Sequence, residues 1–180
     1  MLTHGHLNFE FKARTNNLAA AEQRLLALQP LFIGEDHQAD TYFHAQKGRL
    51  KLREGNIENA LIWYNRPDDA GAKQSDVLLY QHTPSPPLKA LLTMAHGIDV
   101  VVDKKRKIYF IGNVKFHFDE VAGLGTFIEV EAIDKDGSIG LEKLKEQCEA
   151  YARLFGIRPE DYIAVSYSNM LKALREQQGQ

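Results

Sequence analysis

The sequence predicts an α+β fold in which about eight antiparallel strands form one sheet, open or closed into a barrel, with helices packed outside. Three observations predict it. Segments of alternating apolar and polar residues recur along the 180-residue chain. Most of them are joined by short connections, which suit antiparallel pairing and argue against strand–helix–strand units. The helical segments carry apolar stripes that need a surface, and the apolar strand faces supply one.

The N-terminal half predicts five strands and two helices. The first helix, residues 16–28, opens with an asparagine cap and contains no breaker. The second helix is predicted to begin at Ser85 and Pro86 and to end before Gly97, because serine and proline are common at helix starts and glycine is common just after helix ends. The predicted strands are residues 7–15, 37–45, 48–54, 59–67 and 76–82.

The C-terminal half predicts three or four further strands and two helices. Residues 98–112 are long enough for one long strand or for two with a bend. Ser138 is expected to cap a helix whose apolar stripe includes Cys148, and Gly156 is expected to end it. The remaining predicted elements are strands at 114–121 and 126–133 and a last short helix at 166–176.

Several strands have one apolar and one charged face, because side chains alternate across a strand. On the third strand Arg49, Lys51 and Arg53 oppose two leucines. For any single strand, the charged face could simply be the solvent-exposed side of the sheet. Like charges that cluster across several strands, however, destabilise a sheet unless a partner neutralises them. The charged faces of the first, seventh and eighth strands carry Asn8, Glu10, Lys12, Arg14, Lys115, His117, Asp119, Glu129 and Glu131.

Many cations combined with a few carboxylates suit a metal-bound polyphosphate. Arginine and lysine contact phosphate oxygens, and carboxylates hold Mg²⁺ or Mn²⁺. A groove that binds nucleic acid also contains cationic side chains, but it does not require carboxylates and usually has exposed aromatic residues. The formal net charge of −2 is too small to produce a strong electrostatic field around the whole protein that would attract nucleic acid or a membrane surface. No apolar run reaches the length of a membrane span. We therefore expect neither nucleic acid nor membrane as a partner.

Other chemistry-bearing residues favour structural roles. A single cysteine, Cys148, excludes an internal disulfide and a multi-cysteine metal site, and fits a reducing, cytoplasmic compartment. The seven histidines form no metal-ligand spacing, although His117 shares the face of Lys115 and Asp119. Trp63 could stack a base but is better explained as a strand core residue. The basic run 104–107 lies in strand-like sequence, which favours a strand over a nucleic-acid patch.

At these residues the sequence resembles the CYTH superfamily, also called triphosphate tunnel metalloenzymes, and within it the class IV adenylyl cyclases. The family signature is an alternating Glu-x-Glu-x-Lys, which Asn8, Glu10 and Lys12 match with one departure. "DTYF" and "GRLKLRE" are similar to the second and third family strands, and "DKKRKIYFIGNVKFHFDEVAGLGTFIEVEA" to the cyclase-type C-terminal half. The resemblance covers residues 7–155, and the order and spacing of its motifs are more specific than any one of them.

The resemblance implies an eight-stranded antiparallel β-barrel, a tunnel with helices packed outside, that binds a triphosphate with Mg²⁺ or Mn²⁺. It implies one CYTH domain over residues 1–180, with a core at about 7–165 and a polar C-terminal tail. Dimers are common among such folds, so a homodimer stays an open alternative. The triphosphate-binding residues implied are Lys12, Arg14, Arg49, Lys51, Arg53, Arg66, Lys104, Arg106 and Lys115. The implied catalytic residues are Glu10, Lys12, Arg53 and Asp119, and the implied metal ligands are Glu10, Glu129, Glu131 and Asp119.

Three functions remain open on the sequence. The first is an adenylyl cyclase that converts ATP to 3′,5′-cyclic AMP and pyrophosphate. The second is a phosphohydrolase acting on inorganic tripolyphosphate, thiamine triphosphate or a nucleoside triphosphate. The third is a non-catalytic nucleotide- or polyphosphate-binding module, which Asn8 makes plausible because it replaces the first signature glutamate with a neutral ligand.

Overall fold

The computed structural model describes residues 7–65 and 76–179. Within them, eight antiparallel strands form one sheet in the order β1-β8-β7-β6-β2-β3-β4-β5. The predicted α+β architecture with external helices is therefore confirmed. The strands are β1 (Leu7–Arg14), β2 (Leu31–Phe43), β3 (Arg49–Glu54), β4 (Ala60–Asn65), β5 (Asp76–Gln81), β6 (Ile98–Ile111), β7 (Val114–Val121) and β8 (Gly125–Asp134). The helices are α1 (Leu18–Leu26), α2 (Pro86–His96), α3 (Leu141–Phe155) and α4 (Tyr167–Gln177), with a 3-10 turn at Pro159–Asp161.

For residues 98–112 the sequence allowed one long strand or two with a bend, and the structure has one, β6. Two element boundaries differ from the sequence prediction. Strand β2 begins six residues before the predicted strand. The third helix is capped by Gly140 and not by Ser138. The buried carboxylate of Asp134 accepts hydrogen bonds from the backbone N–H groups of Gly137, Ile139 and Gly140, which keeps this loop out of the helix.

The outer core lies between the convex face of the sheet and two helices. Residues Phe116 and Val130, which are fully buried, pack with Leu25 of α1 and Leu144 of α3. Cys148 belongs to this core, where its thiol donates to the backbone oxygen of Phe9 at 3.3 Å. The apolar stripes of the helices therefore cover the apolar strand faces, which leaves the charged faces on the concave side.

An inner core fills one end of the concave face. It is built where the inward-facing residues change from charged to apolar, for example at Val102 on β6 and Phe127 on β8. Helix α4 packs over this end through Tyr167, whose ring lies 4.9 Å from that of Phe127. The charged part of the concave face is consequently bounded at one end by apolar side chains.

The sheet curls into a half-barrel. Lys115 on β7 reaches Glu58, in the turn between β3 and β4, at 2.8 Å. Strands β6 and β2 lie between β7 and β3 in the sheet, and neighbouring strands are about 4.8 Å apart. The contact therefore crosses the interior of a curved sheet. None of the described helices is long and apolar enough to span a membrane.

Candidate functional site

The long strand β6 sorts its basic residues between the two faces of the sheet. Lys104 and Arg106 point into the concave face, where they are 2% and 5% exposed. Lys105 is exposed on the convex side, and Lys107 lies there too, paired with Glu22 of α1 at 2.9 Å. The pattern of alternation could not choose between the two pairs, because both faces of this strand are basic.

Asp40 on β2 gathers three basic side chains into one cluster. Its Oδ1 accepts from Arg53 Nε at 2.8 Å, and its Oδ2 accepts from Lys51 and Lys104 at 2.8 and 2.9 Å. Arg53 Nη2 also donates to Oδ2 at 2.9 Å. Burial alone would raise the pKa of Asp40, but the three cations hold it well below its usual value. Asp40 is therefore a carboxylate that orients the cations around it.

Lys104 is the most deeply buried cation of the concave face. Burial lowers its pKa to about 7, because the attraction of Asp40 does not offset desolvation and the repulsion of Arg106 and Arg53. The charge of Lys104 near pH 7 therefore depends on the charged groups beside it.

Arg106 and Asp119 form the second cluster, which ties the sheet to α4. Arg106 donates through Nε and Nη2 to the two oxygens of Asp119 at 2.6 and 2.5 Å, and Nη2 also reaches Glu129 at 2.6 Å. The hydroxyl of Tyr167 donates to Asp119 at 2.8 Å. Both carboxylate oxygens of Asp119 are thus engaged, and its contacts are those of a residue that positions Arg106.

Glu129 links this cluster to Lys12 and His117, its register partners on β1 and β7. Lys12 Nζ lies 3.0 Å from Glu129 and 4.1 Å from the centre of the Tyr167 ring. His117 bonds to Glu129 through Nδ1 at 3.2 Å. Burial and the nearby Arg106 lower the pKa of His117 to about 4, so the ring is neutral near pH 7.

A carboxylate pair lies on β1 and β8, where Glu10 and Glu131 are direct register partners. Burial and the charge of Glu10 raise the pKa of Glu131 to about 7. Asn8 Nδ2 donates to Glu131 at 2.5 Å, and the buried Oδ1 of Asn8 has no hydrogen-bond partner among the described residues. The two carboxyl groups and the amide oxygen of Asn8 are hard oxygen atoms of the kind that divalent cations bind.

The remaining predicted phosphate-binding residues lie around this region. Arg14 is exposed at the end of β1, where it donates to the Leu124 carbonyl at 2.7 Å and stacks on Phe127. Arg49 lies beside the ring of Tyr64, with 5.8 Å from guanidinium to ring centre. Arg66 lies outside the described residues.

The predicted metal ligands do not form one assembled site. In residues 7–65 and 76–179, no group of three or more His, Cys, Asp or Glu side chains is arranged to hold a metal ion. Asp119 and Glu129 are held by basic partners, whereas Glu10 and Glu131 face each other. The metal role of these four residues stays a prediction.

Sequence reasoning missed three residues that organise the site. Asp40 could have been found by parity, because it faces Arg53 in the register that the hairpin turn at Gly48 sets. Glu58 lies in a turn, where alternation carries no information. Tyr167 belongs to a helix distant in sequence, and nothing local shows that its hydroxyl reaches Asp119.

Comparisons with known proteins agree with this architecture. The CYTH domain matches residues 6–167. The chain is 24% identical to adenylate cyclase CyaB of Aeromonas hydrophila over 174 residues, which cover 92% of this chain and 89% of the relative.

Two solved structures show the same fold. The PH1012 protein of Pyrococcus horikoshii OT3 superposes with a TM-score of 0.76 at 23% identity, covering 91% of this chain and 98% of that one. HpAC1 from Hippeastrum, for which a dominant triphosphatase activity is described, superposes with a TM-score of 0.64 at 16% identity, covering 94% and 96%. Since the family match extends over most of the sequence, the chain belongs to the CYTH domain family.

Proposed function

We propose that the chain is a metal-dependent enzyme that binds a triphosphate on the concave face, with adenylyl cyclase as its first activity. One observation carries the proposal: basic side chains from four strands converge on one interior surface, and carboxylates hold them in place. Lysine and arginine in a partly desolvated site bind phosphate oxygens and stabilise charge that develops in phosphoryl transfer. The residues concerned are Lys12, Lys51, Arg53, Lys104, Arg106 and Lys115.

The chain's own residues would bind and orient the substrate. In the cyclase reaction the ribose 3′-oxygen attacks the α-phosphorus, the bond to the pyrophosphate oxygen breaks, and the hydroxyl proton is released. Arg53 and Lys115 would neutralise the departing pyrophosphate. Arg106, fixed by Asp119, would hold a non-bridging oxygen in a constant position. The similarity to CyaB over most of both chains supports this reaction as the first candidate.

A divalent cation fits the carboxylate pair on β1 and β8. Glu10, Glu131 and the buried Oδ1 of Asn8 are oxygen ligands of the kind that Mg²⁺ and Mn²⁺ take. When bound, such an ion would neutralise phosphate charge and lower the pKa of the attacking hydroxyl.

The second candidate is a phosphohydrolase, in which water attacks the γ-phosphorus of tripolyphosphate, thiamine triphosphate or a nucleotide. The same basic residues would serve, and the described activity of HpAC1 supports keeping it. The third candidate is a binding module without turnover.

A product assay separates these functions. The protein is incubated with Mn²⁺ or Mg²⁺ and, separately, with ATP, tripolyphosphate and thiamine triphosphate, and products are resolved by chromatography. Cyclic AMP with pyrophosphate supports the cyclase, and orthophosphate supports the hydrolase. Binding of a triphosphate without any product supports the binding module without turnover. Undiminished binding and turnover in an Arg53→Ala protein would contradict the proposed site.

A further inference from the structure

Glu58 is the one carboxylate among those described here that reaches the basic residues from a turn and not from a strand. Its Oε1 accepts from Lys115 Nζ at 2.8 Å. Its Oε2 accepts from Arg53 Nη1 at 2.8 Å and from Gln38 Nε2 at 3.1 Å. Burial would raise the pKa of Glu58, but Lys115 and Arg53 lower it well below its usual value, so the side chain is an anion. Three donors from β7, β3 and β2 thus surround one carboxylate.

The turn that carries Glu58 has its own support. The fully buried Asp36 accepts from the backbone N–H groups of Ile57 and Glu58 at 2.9 Å each. Gly55 is required beside it, because a Cβ there would lie 2.6 Å from Asp36 Oδ1. The backbone of the turn is therefore fixed, and the placement of Glu58 against the cations is a built feature of the fold.

The donors around Glu58 are the same groups that the proposed function gives to phosphate. A carboxylate with charge-assisted hydrogen bonds from arginine and lysine has the geometry of a bound phosphoryl oxygen pair. Glu58 and a phosphoryl group therefore compete for Arg53 and Lys115.

Two of the described carboxylates, Asp40 and Glu58, pair with Arg53 or Lys115, and Glu58 is the one suited to leave. Asp40 is 3% exposed and lies on a strand in the middle of the sheet, whereas the side chain of Glu58 is 28% exposed. Rotation about its side-chain bonds would carry the carboxylate to solvent without moving the backbone that Asp36 holds.

We propose that Glu58 is an internal anion that occupies one phosphate subsite and is displaced when a polyphosphate binds. The inference rests on the proposed function, since it requires that a polyphosphate binds these cations. Glu58 lowers the apparent affinity for anions, because it competes with them for Arg53 and Lys115. A ligand binds these two residues only if its phosphoryl group interacts with them more strongly than the carboxylate of Glu58 does. It thereby selects highly charged phosphates over singly charged anions.

The test compares the affinity of three variants for inorganic tripolyphosphate in Mn²⁺ by calorimetry. In Glu58→Gln the competing charge is gone, and we expect binding about tenfold tighter, because the fraction of binding-competent sites rises. Glu54→Gln is the matched control: Glu54 lies four residues away on the convex face, pairs with Lys89 at 2.8 Å, and should leave affinity unchanged. Arg53→Ala should bind more weakly.

Two outcomes overturn the inference differently. If Arg53→Ala weakens binding while Glu58→Gln binds equally or less tightly than wild type, the phosphate site stands and displacement of Glu58 is wrong. If wild type and Arg53→Ala bind alike, or neither binds, the proposed function fails and the inference fails with it. Should Glu58→Gln not fold by circular dichroism, Glu58→Asp keeps the charge but shortens the reach. It must then bind more tightly than wild type, and equal affinity rejects the inference.

Discussion

Arg106 on β6 and Asp119 on β7 are register partners that form a two-point ion pair inside the sheet. The guanidinium is 5% exposed and the carboxylate is fully buried, so neither charge is solvated by bulk water. Tyr167 completes the pair from α4 through its hydroxyl. One ion pair therefore couples the candidate site to the packing of the C-terminal helix.

We expect Asp119→Asn to destabilise the protein strongly. The amide has one oxygen where the carboxylate has two and carries no negative charge, so the two-point ion pair with Arg106 would be lost. The free energy of unfolding should fall by about 3–5 kcal/mol. Urea denaturation measures this, with Glu120→Gln on the exposed neighbouring position as the control, where the change should stay within about 0.5 kcal/mol. A loss below about 1 kcal/mol for Asp119→Asn would show that the pair contributes little.

Arg53→Ala should weaken triphosphate binding by about 2–4 kcal/mol, because the lost charge is desolvated and held in a fixed orientation by Asp40. Titration calorimetry with tripolyphosphate gives the value. Lys105→Ala removes a positive charge from the exposed convex face and should change affinity by less than about 0.5 kcal/mol. Equal effects of the two substitutions would mean that only net charge matters, and Arg53 would then have no specific contact with the ligand.

Asn8→Glu should make the protein more dependent on a divalent cation. The new carboxylate would lie beside Glu10 and Glu131. Repulsion among the three carboxylates should lower the thermal stability of the protein in EDTA, and a bound divalent cation should restore it. Affinity for Mn²⁺ should rise by about tenfold, which corresponds to about 1.4 kcal/mol. Thermal unfolding with and without Mn²⁺ and a metal titration of turnover are the measurements. Asn8→Gln, which adds no charge, is the control, and a metal titration identical to wild type for Asn8→Glu would rule out a cation near this position.

The depressed pKa of Lys104 predicts a pH dependence of stability. The folded protein binds this proton less tightly than the unfolded chain, whose lysine titrates near its usual value of 10.5. Between about pH 7 and that value the unfolded state carries more protons, so stability rises with pH relative to a variant that lacks the group. The gain is at most about 1.4 kcal/mol per pH unit.

Urea unfolding of wild type and Lys104→Met from about pH 5.5 to about pH 9.5 measures this gain. Below about pH 6, where Lys104 is protonated in both states, the unfolding free energies of the two proteins should run parallel with pH. Above about pH 7 the wild type should become more stable relative to the variant. Parallel curves over the whole range would show that Lys104 keeps an ordinary pKa in the folded protein.

Amphipathic strands were predictable from the sequence because their alternation is a local property. On β3 the prediction that Arg49, Lys51 and Arg53 share a face follows from spacing alone, and the structure turns that face inward. The same reasoning fails on β6, where Lys105 and Lys107 are as basic as Lys104 and Arg106. Lys107 lies on the convex face because it pairs with Glu22 of α1, and the alternation pattern of a strand cannot predict a contact with a helix.

The placement of Glu58 and the start of α3 were beyond local reasoning. Glu58 acts through a turn, and its position depends on Asp36, which is twenty-two residues earlier. The start of α3 was misplaced because Ser138 has the composition of a helix cap, while Asp134 binds the backbone amides that would have begun the helix. In both cases a buried aspartate bonds to backbone amides of a loop or turn, and such bonds leave no periodic pattern in the sequence. Asp40 differs, because parity could have found it.

The inner core limits how far a bound anion could extend along the concave face. Val102, Phe127 and Tyr167 fill one end of this face, so apolar side chains border the surface that Lys104 and Arg106 line. A phosphate chain that binds as proposed would meet these side chains and would have to extend away from them. The packing of α4 over the inner core would therefore help to set the length of phosphate chain that fits.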